Sequence, residues 1–171
     1  MFHNGDVPKA TLDSERRNWM ALLSRAPIEL LESTIGVYAD DTLQWLRAPE
    51  TGLMMVQARI GGTGERFNLG EVTVTRCALR AFNKAHTTAT VGVAYVTGRS
   101  HRRAQLAAIA DAMLQDEMAH AELQKTLLAP TREHLVRLRT QRYERAQSTK
   151  VEFFTVARET SGPDNGAVED Q

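Results

Sequence analysis

The sequence is short of cysteine, of net charge and of long apolar runs, and each shortage excludes something. Its 171 residues include a single cysteine, Cys77. One thiol can neither close an internal disulfide nor build a cysteine-rich zinc site. Lys plus Arg number 21 and Asp plus Glu number 21, so the formal net charge is zero. A protein that coats nucleic acid needs a basic excess, which is missing here. No run approaches the ~18 apolar residues of a membrane span. Residues 1–9 are polar and lack the apolar core of a signal peptide. The expected compartment is the cytoplasm, with neither nucleic acid nor membrane as a partner.

The remaining composition is that of one globular domain: 42% of residues are hydrophobic and 25% charged, enough apolar surface for one core. The zero charge hides a gradient. Residues 159–171 carry Glu159, Asp164, Glu169 and Asp170 and no Lys or Arg, which leaves the body with 21 bases against 17 acids, or +4. Gly, Pro and Asn in that tail, without an apolar period, predict disorder. The expected organisation is a flexible N-terminus over 1–10, a single domain over 11–158 and a disordered acidic tail over 159–171.

Periodicity predicts an α+β fold. A helix is expected over 13–25, capped by Thr11 or Asp13, with Trp19, Leu22, Leu23 and Ala26 on one face. Pro27 suits the first turn of a second helix whose stripe is Ile28, Leu31 and Ile35, with Gly36 as a left-handed stop. Four strands follow in the pattern: 42–48, a turn at Pro49-Glu50-Thr51-Gly52, 53–60, 71–82, a turn over 83–87, and 88–97. In the last of these Val91, Val93 and Tyr95 share a face. Short turns between them argue an antiparallel meander rather than a doubly wound parallel sheet. Two long helices close the chain. Ser100 caps the first, which runs to about Leu128 with Leu106, Ile109, Ala110 and Met113 toward the core. Pro130 then breaks the chain, and the second runs from Thr131 to about Ala157 along Leu135, Leu138, Ala146, Phe153 and Val156. The expected architecture is thus a four-stranded antiparallel meander with two short N-terminal and two long C-terminal helices.

Few residues advertise chemistry. The loop GGTGERFNLG at 61–70 lacks the Lys-Ser/Thr ending of a P-loop and precedes a strand. It reads as a hairpin loop or as backbone that approaches a partner closely. Strand 72–82 places Thr73, Thr75, Cys77, Leu79 and Ala81 on one face and Val72, Val74, Arg76, Ala78 and Arg80 on the other. The second face suits solvent, with arginine stems over apolar neighbours, or a covering chain. Cys77 on the apolar face reads as a small core residue. Glu117 and His120 have the spacing of a helical metal half-site, but the chain has no second copy. His3, His86, His101 and His134 have no signature spacing.

Residues 47–80, RAPETGLMMVQARIGGTGERFNLGEVTVTRCALR, closely resemble the G subunit of the bacterial carbon–phosphorus lyase system. The resemblance continues through VGVAYVTGRSHRRAQLAAIADAML (91–114), RRNWMALLSRA (16–26) and KVEFFTVAR (150–158), nearly all of the body. It implies an accessory subunit of a cytoplasmic core complex with H, I and J subunits, two copies of each, assisted by an ATPase-like L subunit. The implied reaction attaches an alkylphosphonate to ribose C1 of ATP, the co-substrate, and expels adenine. Later cleavage of the carbon–phosphorus bond would use S-adenosylmethionine and an iron–sulfur cluster held by the J subunit. Nucleoside chemistry is attributed chiefly to the I subunit, and no catalytic residue, cofactor or metal is implied for this chain. A lone cysteine and the missing P-loop agree with that. A stand-alone enzyme on a phosphorylated small molecule and a homodimeric binding module are the alternatives.

Three structural expectations follow from the residues. Arg76 and Arg80 mark a docking face of the sheet. Arg99, Ser100, His101, Arg102 and Arg103 surround a helix start and suit an anion or a partner carboxylate. Folding the two long helices about Ala129-Pro130 would bring Glu117 to Arg142 and His120 to Arg139 in a polar layer.

Overall fold

An alanine-rich helix forms the centre of the molecule. In the computed structural model, which describes residues 9–39, 43–82 and 89–150, this helix, α3, spans His101–Met113. Ser100 caps it as expected, its hydroxyl accepting the Arg103 amide at 3.3 Å. The helix is buried beyond the expected stripe: Ala104 and every residue from Leu106 to Ala112 are inside. It packs on a sheet and on two N-terminal helices, α1 (Lys9–Leu23) and α2 (Ile28–Ile35). Trp19, Leu23, Ala26, Leu31 and Ile35 meet it in one core, as their spacing predicts. Gly36 departs from expectation. It is right-handed at φ −53°, and the chain tightens into a 3-10 turn over Gly36–Tyr38 instead of stopping.

Among the described residues the sheet has three antiparallel strands in the order β1-β2-β3, where a four-stranded meander was expected. β1 runs unbroken from Leu43 to Arg59. The expected turn at 49–52 is instead a place where its register against β2 (Arg66–Phe82) shifts, between Trp45, Arg47 and Glu50. β1 is an edge strand, and an edge bulge tolerates the missing Pro49 amide without turning the chain. β2 begins within the expected glycine loop, so only residues 60–65 link the two strands. β3 (Ala89–Thr97) lies on the other side of β2. Val91, Val93 and Tyr95 share a face as expected, and the core face is the other one, Gly92, Ala94 and Val96. The smaller residues win because α3 comes so close that a Cβ at Gly92 would run into the Ala108 carbonyl.

The C-terminal helices also differ from expectation. α3 ends at Met113, and Asp116 caps a new helix, α4 (Glu117–Leu123), by accepting the Met118 amide at 2.9 Å. A π turn over Gln124–Leu128 joins α4 directly to α5 (Ala129–Ser148). Pro130 therefore does not break the chain. The Ala129 amide already reaches five residues back to Gln124, and the Thr131 hydroxyl bonds the Leu127 carbonyl at 2.7 Å, so the helix is widened where the ring enters. The helical run is interrupted at 114–116 instead. Glu117 and Arg142 lie about seven turns apart on one continuous run, and His120 and Arg139 about five. The expected polar layer is thus ruled out. Phe153, Val156, the N-terminal segment 1–8, the turn at 83–87 and the tail at 159–171 lie outside the described residues.

One buried carboxylate ties these layers together. Asp111 on α3 is fully buried. Its Oδ1 accepts Trp19 Nε1 at 2.8 Å and Arg16 Nε at 3.2 Å; its Oδ2 accepts Arg16 Nη2 at 2.7 Å and the Val93 amide at 2.9 Å. Hydrogen bonding to Asp111 raises the pKa of Arg16 above its ordinary value. Removing one partner of a buried charge pair strands the others and costs about 3–5 kcal/mol. We expect Asp111→Ala to lose that much in urea unfolding, and a loss below ~1 kcal/mol would show that these bonds are incidental.

Candidate functional site

β1 and β2 outrun the rest of the fold. They stay paired from Leu43 opposite Ala81 to Arg59 opposite Arg66, but β3 flanks β2 only over Val74–Phe82. From Leu53 outward the sheet is a two-stranded ribbon reaching roughly 20 Å at 3.3 Å per residue. Consecutive side chains point to opposite faces. Leu53 (67% exposed) and Met55 (50%) prolong the face that the helices cover lower down, and Met54 (47%) prolongs the opposite face. Phe67, Leu69 and Ile60 near the tip are exposed as well. Met54, Val56, Ala58 and Ile60 do alternate as the sequence suggests, but no core lies behind them. Leu69 is an extra residue between the pairs Val56–Gly70 and Gln57–Asn68, a bulge at which Gly70 takes φ +150°.

The start of α3 abuts the root of this ribbon. His101 Nε2 lies 3.1 Å from Thr51 Oγ1, which lies 3.1 Å from Thr75 Oγ1; Thr75 in turn donates to the Gly98 carbonyl at 2.7 Å. Arg102 reaches α2, where Nε and Nη2 bind the two oxygens of Glu32 at 2.8 Å each. The acid that answers Arg102 is thus one of the chain's own. Ser100 is used as a cap. Arg99 is exposed, and Arg103 Nε is buried with no bonding partner among the described residues. On the opposite face of the sheet Arg76 donates to Glu50 at 2.7 Å, which also accepts Arg47 at 2.6 Å, and Arg80 donates to Gln44 at 3.3 Å. The five residues of the α3 start are adjacent in the chain but turn to different partners, His101 to the sheet and Arg102 to α2, while Arg76 and Arg80 form a separate row with cross-strand partners. Sequence reasoning missed the ribbon, because it placed a turn at Pro49.

The other sequence candidates are structural. Cys77 is buried and its thiol donates to the Ala104 carbonyl at 3.1 Å; burial pushes its pKa up to about 12. His120 Nδ1 lies 2.9 Å from the Leu114 carbonyl and its ring meets Trp19 edge-on at 5.4 Å. Glu117 is exposed. Among the described residues no three His, Cys, Asp or Glu side chains gather as metal ligands, and no helix is long and apolar enough to cross a membrane. His3 and His86 lie outside the described residues.

A family model described as phosphonate metabolism protein PhnG matches residues 14–159. The chain is 37% identical over 157 residues to the alpha-D-ribose 1-methylphosphonate 5-triphosphate synthase subunit PhnG of Rhizobium meliloti (strain 1021), covering 90% of this chain and 97% of that protein.

Two outcomes follow. Hydrogen bonds from Arg102 hold the Glu32 carboxyl below its ordinary value of 4.5. The pair's contribution is therefore complete above the unfolded pKa and is lost as pH falls through the lower folded value. Urea midpoints between about pH 3 and 6 should fall more steeply for the wild type than for Glu32→Gln; parallel curves would contradict this. The Cys77 thiol should resist a disulfide reagent at about pH 8 in the native protein and react fully in guanidinium. Rapid native labelling would show the site to be open.

Proposed function

The chain belongs to the PhnG family of phosphonate metabolism proteins, and on that premise we propose that it is an accessory subunit of a ribose 1-methylphosphonate 5-triphosphate synthase. In this reading it supports transfer of an alkylphosphonate to ribose C1 of ATP without a complete active site of its own. Its partners are the H, I and J subunits, two copies of each, in a cytoplasmic assembly, with the L subunit acting alongside.

The observation that carries this reading is the ribbon. A two-stranded hairpin alone is at best marginally stable in water, and this one shows apolar side chains on both faces. Such an arm gains most when a second protein covers it. Chemistry supports the division of labour. An iron–sulfur cluster needs several thiolates, whereas this chain offers one buried thiol with a raised pKa. S-adenosylmethionine and the cluster are accordingly assigned to a partner, and no cofactor to this chain.

The triple variant Leu53→Ser, Met55→Ser, Leu69→Ser tests the reading. These side chains lie outside the core, so circular dichroism and melting of the variant should match the wild type. Co-expressed with the other subunits, it should fail to co-elute with them on size exclusion, where the wild type co-elutes. Unchanged co-elution would overturn the ribbon as the docking element. Synthase activity of the purified chain alone on ATP and methylphosphonate would overturn the accessory role.

A further inference from the structure

A second surface is polar, and none of its described lining residues belongs to the ribbon. The α1–α2 turn, the end of β3, the first turn of α3 and one side of α5 enclose an open cleft of about 800 Å³. Arg25, Arg103, Arg132, His134, Arg139 and Arg142 line it, together with apolar side chains such as Leu22, Leu135 and Leu138. Among the described residues no Asp or Glu lines it.

The contrast with the rest of the chain is chemical. Arg16, Arg47, Arg76 and Arg102 each pair with a carboxylate. Among the described residues none of the five cleft arginines does, although Arg25 donates to the Ala21 carbonyl at 2.9 Å. Arg103 Nε is buried with no hydrogen-bond partner among the described residues. A guanidinium that no carboxylate answers is a natural donor to an anionic oxygen. Three segments far apart in sequence thus bring to one void five guanidinium groups that pair with no carboxylate of the described residues.

We propose that this cleft binds the oligophosphate portion of a nucleotide-sized ligand. Arginine forks match phosphate oxygens two at a time, and several side by side suit a chain of phosphates better than a single one. The volume lies within the range of small-molecule sites. The apolar wall gives the uncharged part of such a ligand a surface to rest on. The inference goes beyond the accessory role, since it gives this chain a share in holding a small molecule, and it does not depend on the ribbon.

Inorganic tripolyphosphate is the probe, titrated calorimetrically into the full-length chain at low salt, with sulfate at equal ionic strength as the reference. Saturable binding of one equivalent is expected, with sulfate much weaker. Arg139→Gln with Arg142→Gln should weaken it at least tenfold; both residues are exposed on α5, so circular dichroism should be unchanged. Arg17→Gln with Lys125→Gln, which removes as much charge outside the cleft, should change it less than twofold. Absence of saturable binding, or equal loss in the two double variants, would overturn the proposal. So would loss of tripolyphosphate binding in the co-expressed complex together with failure of the Arg139/Arg142 variant to assemble, since the cleft would then hold a partner's carboxylates. Failure of the ribbon variants to assemble is a separate readout and leaves this result unaffected.

Discussion

The Asp111 carboxylate is the constraint on which the rest of the structure depends. It is fully buried, and a buried charge is tolerated only when its oxygens are bonded. The donors it recruits come from α1 and from β3. Among the described residues β3 is an edge strand, so the Val93 amide and the Val91 carbonyl have no neighbouring strand there. Asp111 takes the first; Arg16 at 3.0 Å and Gln115 at 2.9 Å take the second. One network therefore satisfies the charge, closes the sheet edge against another chain and fixes α1 over the core. It also explains why Gly92 sits between these two valines. A helix close enough to place Asp111 against the strand leaves no room for a side chain there.

How far the sequence could be read depended on whether local signals decided the outcome. α1, α2, the Ser100 cap and the burial of Cys77 rest on local pattern, and the structure keeps them, except that α1 already begins at Lys9 and so holds the expected caps Thr11 and Asp13 inside the helix. The family was legible because the block at 61–76 is long and unusual, not because any residue in it declares a reaction. Pro49 and Pro130 misled for the same reason. Each usually ends an element, and each is accommodated here by one irregularity, an edge bulge or a π turn, that spacing does not reveal. The pattern of β3 put Val91, Val93 and Tyr95 on one face but did not say which face is buried; the closeness of α3 selects the smaller residues of the other. The arginine-lined cleft was not legible at all. Arg25, Arg103 and Arg139 come from separate segments, and only the tertiary fold brings them together.

The molecule is unevenly covered. Around α3 nearly every side chain is buried, while the outer ribbon and residues 139–148 of α5 remain exposed. These two outlying parts differ in chemistry. The ribbon is apolar on both faces, and the distal part of α5 is rich in arginine. A protein surface suits the first and an anion the second, so the chain offers two unlike kinds of contact from one rigid core.

The π turn at 124–128 sets the angular phase of everything beyond it. Each residue advances a helix by about 100°, and a π turn amounts to one inserted residue. With it in place, Leu123, Leu127, Leu128 and Thr131 all stay buried, while Arg132 and Arg139 come round to the cleft. Deleting a single residue there would restore an ordinary helical ladder at the level of Pro130, where the ring meets a carbonyl. It would also swing the arginines by about a quarter turn, away from Arg25 and Arg103. The length of a five-residue segment thus acts as the dial that aims one side of α5, and its cost is borne where no ligand would touch it.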